Sequence, residues 1–217
     1  MRRADRGWVA VVLACTLVEL WLSWAGPVVR QRAIAALAFW PQLLNGSQIW
    51  GQTDGQTGAQ PLFGWQPLTM FVSYGVLHTG WSHLAGNMLA LGLFGWALAG
   101  RIGGAWWFVY FYTLFLLAGG LGFALLSARD QPMIGASGAI MGLYGLWLVW
   151  DWRVTRRTAR VILGLAAAIA ADQAIGFLSG VQLAWETHLG GLLGGAVAGA
   201  VLPAFENREQ TRSQNGN

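Results

Sequence analysis

Apolar residues run in long blocks along this chain, and the polar residues gather between them. Six blocks stand out, at residues 8–25, 82–99, 105–127, 136–150, 160–178 and 183–202. Most approach the ~20 residues that a helix needs to cross ~30 Å of hydrocarbon. Backbone in lipid must satisfy its own hydrogen bonds, and no ten-residue alternation points to barrel strands, so the blocks predict helices. The expected fold is therefore an all-α membrane protein with six transmembrane helices in a single domain, residues 1–205. A short polar cytoplasmic tail, expected to be disordered, follows at 206–217. The fourth block is the shortest. It fits a helix that starts inside the membrane after a non-helical entry at 131–136, tolerated where it lines a wet cavity or packs on protein.

Between the first two blocks lies a long connection, residues 26–65. Residues 28–40 mix Arg30, Gln31 and Arg32 with Ile34, Leu37 and Trp40, which predicts an interfacial helix ending near Pro41; a solvated loop is the alternative. Residues 51–58 are Gly, Gln, Thr and Asp, an irregular turn region. Asn45-Gly46-Ser47 matches a glycosylation acceptor, a pattern of low specificity. The first block follows Met1-Arg2-Arg3 like a signal peptide, but its length and Glu19 favour a retained helix.

Charge orients the blocks. All 13 basic residues are Arg. With the termini inside, the inner segments hold Arg2, Arg3, Arg6, Arg101, Arg153, Arg156, Arg157, Arg160, Arg208 and Arg212. The outer segments hold only Arg30, Arg32 and Arg129, so both termini are expected to be cytoplasmic. The chain is 55% hydrophobic and 10% charged, against about 25% charged in soluble domains. No basic face with interleaved aromatics is present, which argues against nucleic acid as a partner. Cys15 is the single cysteine, so no intrachain disulfide can form, and it reads as a small apolar filler.

Polar side chains inside a membrane are costly and tend to be functional. His83 and Asn87 stand i, i+4 on one face of the second block, Ser137 begins the fourth, and His188 lies early in the sixth. Asn87 precedes Arg101 by 14 residues, Ser137 precedes Trp152 by 15, and His188 precedes Leu202 by 14. Each interval is ~21–22 Å of helix, so the three groups share one level, ~8–9 Å below the outer face. These residue types suit one chemistry. A serine is a weak nucleophile that needs a base, and His188 can take its proton and return it to a leaving amine. His83, Asn87 and backbone N–H groups near Ser137 can hold the oxyanion. The pairs Gly138/Gly142 and Gly191/Gly195, with Gly199, let two helix backbones approach closely enough for short side chains to meet.

The segments His78-Thr79-Gly80-Trp81-Ser82-His83-Leu84-Ala85-Gly86-Asn87-Met88, Gly135-Ala136-Ser137-Gly138-Ala139-Ile140-Met141-Gly142 and His188-Leu189-Gly190-Gly191 with Gly195 together resemble the rhomboid family of intramembrane serine proteases. The resemblance spans residues 65–202. It implies a six-helix rhomboid-like bundle with a long, partly membrane-embedded first outer loop, cleaving a transmembrane protein substrate near the outer face. It further implies Ser137 as nucleophile, His188 as base, His83 and Asn87 at the oxyanion, His78 in a structural role and the fifth helix as a lateral gate. No cofactor and no metal are implied, the lipid bilayer is the surroundings, and the expected location is a cell membrane of the bacterial inner-membrane kind. The chain departs from the family pattern at Trp65-Gln66, where Trp-Arg is usual, in the longer stretch from there to His83, and at Met141, where an aromatic residue is usual. It also lacks an acid around Ala99-Gly100-Arg101.

Other readings remain open from the residues. Ser137 can be a helix N-cap, His83 and Asn87 can bond neighbouring helices, and the three histidines can bind a metal or haem. An inactive rhomboid-like protein that binds membrane clients, or a transporter, can use the same polar level. Glu19 and Asp172 are acids within blocks and count as functional candidates; Glu186 is expected near the surface in solvent.

Overall fold

A computed structural model describes residues 6–45, 61–99, 101–128, 131–179 and 183–203. Arg2, Arg3, Gly46, Ser47, residues 51–58, Arg129 and the tail with Arg208 and Arg212 lie outside them, as does the Asp172 side chain. All the elements formed by the described residues are helical. The six apolar blocks become α1 (Arg6–Ala25), α5 (Trp81–Leu98), α6 (Ala105–Leu126), α7 (Ser137–Thr155), α8 (Thr158–Ser179) and α9 (Trp185–Val201). By length and composition α1 and α6 are long and apolar enough to cross a membrane.

The long connection folds into three short helices, α2 (Pro27–Leu37), α3 (Gln42–Asn45) and α4 (Gln66–Ser73), the last followed by a 3-10 turn at Tyr74–Val76. Gly26, at φ 89°, turns the chain out of α1, and Pro27 starts α2 with its ring already at helical φ. α2 stops at Leu37, short of the expected Trp40. The reason is tertiary: Phe39 and Met133 exchange both backbone hydrogen bonds at 3.0 Å, which requires extended chain from Ala38 onward. This bridge ties the first connection to the segment that enters α7.

Gln66 stands where a Trp-Arg pair is usual, and it anchors the same connection. Its side chain is 1% exposed. Nε2 donates to the Ala35 carbonyl at 2.6 Å, and Oε1 accepts from the Leu62 N–H at 2.7 Å. An amide can therefore do this work because it offers a donor and an acceptor to two backbone groups. Pro67 opens α4 directly behind it. Ser73 Oγ then donates to the Leu37 carbonyl at 2.7 Å, closing the loop on α2.

At the centre α9 lies between α6 and α7, and glycines bring the backbones together at the crossings. A Cβ on Gly191 would collide with the Gly138 carbonyl oxygen, and one on Gly195 with that of Gly142. On the other side Gly190 and Gly122 meet, each Cβ position falling 2.8–2.9 Å from the other's Cα. Such close contact between apolar helices gains dispersion attraction along the whole crossing. Phe111, Phe115 and Phe123 of α6 fill the remaining interior.

The fourth apolar block predicts a short helix, and that expectation is corrected. α7 starts at Ser137 but continues for 19 residues to Thr155, ~28 Å of rise, where Arg156 takes the left-handed conformation. Trp150, Asp151, Trp152 and Arg153 end the apolar run without ending the helix. They make end contacts instead: Trp150 Nε1 donates to the Leu202 carbonyl at 3.1 Å, and Arg153 Nη1 to the Gly199 and Leu202 carbonyls at 2.9 Å. These bonds satisfy carbonyls that α9 leaves unpaired at its C-terminus. Glu186 is a second correction. It is 4% exposed rather than solvated, because α9 begins at Trp185 and pushes its first turn against Gly122 of α6.

Candidate active site

Ser137 is the first residue of α7, and Ala136 occupies the N-cap position without a side-chain capping bond. The N-cap reading of Ser137 is thereby set aside. Its hydroxyl faces α9 instead, and Oγ lies 2.9 Å from His188 Nε2. Both residues are half-buried. Glycine packing makes the pair possible, since the Gly191–Gly138 contact sits within one turn of each partner.

The chain reaches Ser137 through Gly135, whose φ of 125° disfavours any residue with a Cβ. Space demands glycine there as well. A Cβ would lie 2.9 Å from His83 Cε1, 3.1 Å from His83 Nε2 and 3.7 Å from Asn87 Nδ2. The imidazole and the amide from α5 thus sit over the peptide that precedes the serine. The Gly135 N–H is occupied by the Tyr74 carbonyl at 3.0 Å, and Tyr74 is itself pinned to α6 through its hydroxyl on the Leu116 carbonyl at 2.9 Å.

The polar atoms around this point are donors. His83 Nδ1 accepts from the Thr79 N–H at 3.4 Å, with Thr79 Oγ1 at 3.2 Å. A backbone N–H can only donate, so its bond to Nδ1 favours the tautomer with the ring proton on Nε2, on the side of Gly135, while the Thr79 hydroxyl can pair with Nδ1 in either tautomer. Asn87 Nδ2 is buried with no hydrogen-bond partner. The first N–H groups of α7 have no intrahelical acceptor and lie at the positive end of the helix. Hydroxyl and imidazole on one side, and donors without acceptors on the other, frame a place where a carbonyl carbon could be attacked and its oxygen held.

The remaining histidine supports this group from behind. His78 is buried, and its ring centroid lies 5.1 Å from that of His83. Burial, helped by the neighbouring His83, holds its pKa down at about 4, so the ring is neutral near pH 7. Among the described residues no group of three or more His, Cys, Asp or Glu side chains is arranged to hold a metal ion.

Thr79, Gln66, Tyr74 and the partner of Glu19 are structural contributors that pattern reading misses. Glu19 is paired with Arg30, whose Nη2 lies 2.7 Å from its carboxylate. A carboxylate within an apolar block needs a cation, and Arg30, 11 residues on, is a signal that could have been used.

Comparison with known proteins bears on this arrangement. A family model described as rhomboid domain matches residues 65–205. RHOMBOID-like protein 5 of Arabidopsis thaliana is 31% identical over 134 residues, and RHOMBOID-like protein 6, mitochondrial, of the same plant is 33% identical over 132. Each alignment takes in 58% of this chain and 41% of the plant protein, so the chain spans well under half the length of these relatives. An uncharacterized protein of Mycobacterium tuberculosis is 29% identical over 153 residues, 65% of this chain and 62% of that protein.

Proposed function

The chain belongs to the rhomboid family, and on that premise we propose that it is an intramembrane serine endopeptidase whose substrate is another transmembrane protein. In this reading α1 and α5 to α9 cross the bilayer, and α2 to α4 form a partly embedded outer loop. Both termini face the cytoplasm, the membrane is a cell membrane, and α8 is the side by which substrate enters. Support comes from the Arg distribution and from side chains such as Leu89, Trp96, Leu125 and Val197, which stand exposed on α5, α6 and α9 as lipid-facing residues would.

The observation that carries the reading is the 2.9 Å contact of Ser137 Oγ with His188 Nε2, beside the unpartnered Asn87 amide. Ser137 Oγ attacks the scissile carbonyl carbon as its proton passes to His188 Nε2. The carbonyl oxygen becomes an oxyanion and accepts from His83 Nε2–H, the Asn87 amide and the first-turn N–H groups of α7. His188 then returns the proton to the leaving nitrogen as the C–N bond breaks, which leaves an acyl-serine. Water, reaching a half-buried site, gives a proton to His188 and its oxygen to the acyl carbon, and Ser137 is released with a proton from the imidazolium. No cofactor enters any step.

The test is reconstitution in liposomes with a panel of transmembrane substrates carrying small or helix-breaking residues near their outer ends. Wild type is expected to cleave some of them, and Ser137→Ala, with unchanged melting behaviour, none. A well-folded wild type that binds such helices and cleaves none would instead identify a client-binding relative.

A further inference from the structure

We propose that Glu19 and Arg30 are positioning residues for the oxyanion side of the site, acting through one peptide plane, that of His78 and Thr79. The inference rests on the reading of His83 as an oxyanion donor and adds the device that sets the donor's proton.

Glu19 sits within α1, 1% exposed. Both guanidinium nitrogens of Arg30 grip it, Nη2 to Oε1 at 2.7 Å and Nη1 to Oε2 at 3.1 Å. Ser23 Oγ adds a donor to Oε1 at 3.5 Å and accepts from Arg30 Nη2 at 3.3 Å. This pairing fixes the guanidinium plane. The same Nη1 donates to the His78 carbonyl oxygen at 3.1 Å.

That carbonyl shares its peptide unit with the Thr79 N–H. A trans peptide is planar, with C=O and N–H pointing in opposite directions, so a bond that aims the oxygen also aims the hydrogen. The aimed N–H meets His83 Nδ1 at 3.4 Å. A charged donor on the oxygen polarises the unit and makes its N–H a better donor. Arg30 therefore biases His83 towards the tautomer with hydrogen on Nε2, the nitrogen beside Gly135. Without Arg30 the peptide can rotate, Nδ1 loses its fixed donor and both tautomers become available.

Two readouts separate positioning from bulk stability. The first is a double-mutant cycle on kcat and KM with a transmembrane substrate in liposomes. Arg30→Gln is expected to lower kcat about 10- to 100-fold with KM within about two-fold, and to change kcat less than about two-fold once His83→Ala is present. The second is 15N NMR of histidine-labelled protein, which holds only three imidazoles. The His83 signal, assigned by its loss in His83→Ala, is expected to report Nε2–H in wild type and a tautomer mixture in Arg30→Gln. If Arg30→Gln does not fold, Arg30→Lys carries the test: it keeps the charge but lacks the fork, and an intermediate loss that vanishes in His83→Ala is expected. A full kcat loss persisting in the His83→Ala background, or an unchanged His83 tautomer, would overturn the proposal. The NMR arm needs no turnover. A wild type that cleaves nothing would sink the protease reading, while the His83 tautomer would still decide whether Arg30 positions the ring.

Discussion

α9 and α8 both flank α7, and they are held to it in opposite ways. α9 presses backbone on backbone: Gly191 and Gly195 meet the carbonyls of Gly138 and Gly142, and Gly145 meets that of Leu192. Arg153 and Trp150 lock its far end. None of the described side chains of α8 is buried. Among the described residues its ties to α7 include Arg160 with Asp151 at 3.7 Å, Trp152 Nε1 with Thr158 Oγ1 at 3.4 Å, and Gly164 against Tyr144 and Leu148, all towards its start. The difference follows what each helix carries. His188 must stay within hydrogen-bond reach of Ser137, so its helix is bolted down. α8 carries none of the site residues, and in the proposed reading it is the helix that moves aside for a substrate.

Equal substitutions on the two helices sharpen that contrast. Gly191→Val forces α9 away from the Gly138 carbonyl. It is expected to cost about 3 kcal/mol of stability and to abolish cleavage, measured by thermal melting and substrate assay. Gly164→Val meets the Tyr144 hydroxyl, 2.6 Å from its Cβ position, and pushes only α8 outward. The expected loss is about 1 kcal/mol or less, with cleavage of transmembrane substrates retained or raised. Arg160→Ala removes a half-exposed ion pair and is expected to change stability by less than about 0.5 kcal/mol. If Gly164→Val proved as damaging as Gly191→Val, α8 would be structural and the contrast would fail.

His78 provides a smaller, pH-dependent test of the other wall. Its folded pKa of about 4 lies below the ordinary 6.5, so the unfolded chain takes up the proton first. The stability this neutral ring contributes is full above pH 6.5 and is lost as pH falls towards about 4. The difference in melting temperature between wild type and His78→Leu should follow that window; a flat difference would contradict it.

Much of this was legible in the sequence because lipid makes the rules simple. Long apolar blocks located α1 and α5 to α9, and the start of α7 fell one residue from the expected position. Ends were harder. At Trp150 hydropathy changes while backbone hydrogen bonding does not, so α7 runs on to Thr155. α4 went unread because Gln66 looked like a departure from a motif, although Pro67 behind it is a helix-start residue. Level counting along separate helices placed Ser137, His188 and Asn87 together in depth. Depth says nothing of rotation about each helix, and the 2.9 Å contact could come only from packing. A long-range pair such as Phe39 with Met133 depends on how the connection folds back, which local pattern does not encode.

The most direct test of the serine–histidine chemistry is to locate a covalent adduct. Purified wild type in detergent would be treated with a fluorophosphonate, digested and read by mass spectrometry. A single adduct on Ser137, absent in His188→Ala of equal melting temperature, is the expected result. Folded wild type that leaves Ser137 unmodified, while a soluble serine protease labels fully in the same detergent, would contradict the reading of Ser137 as an activated nucleophile.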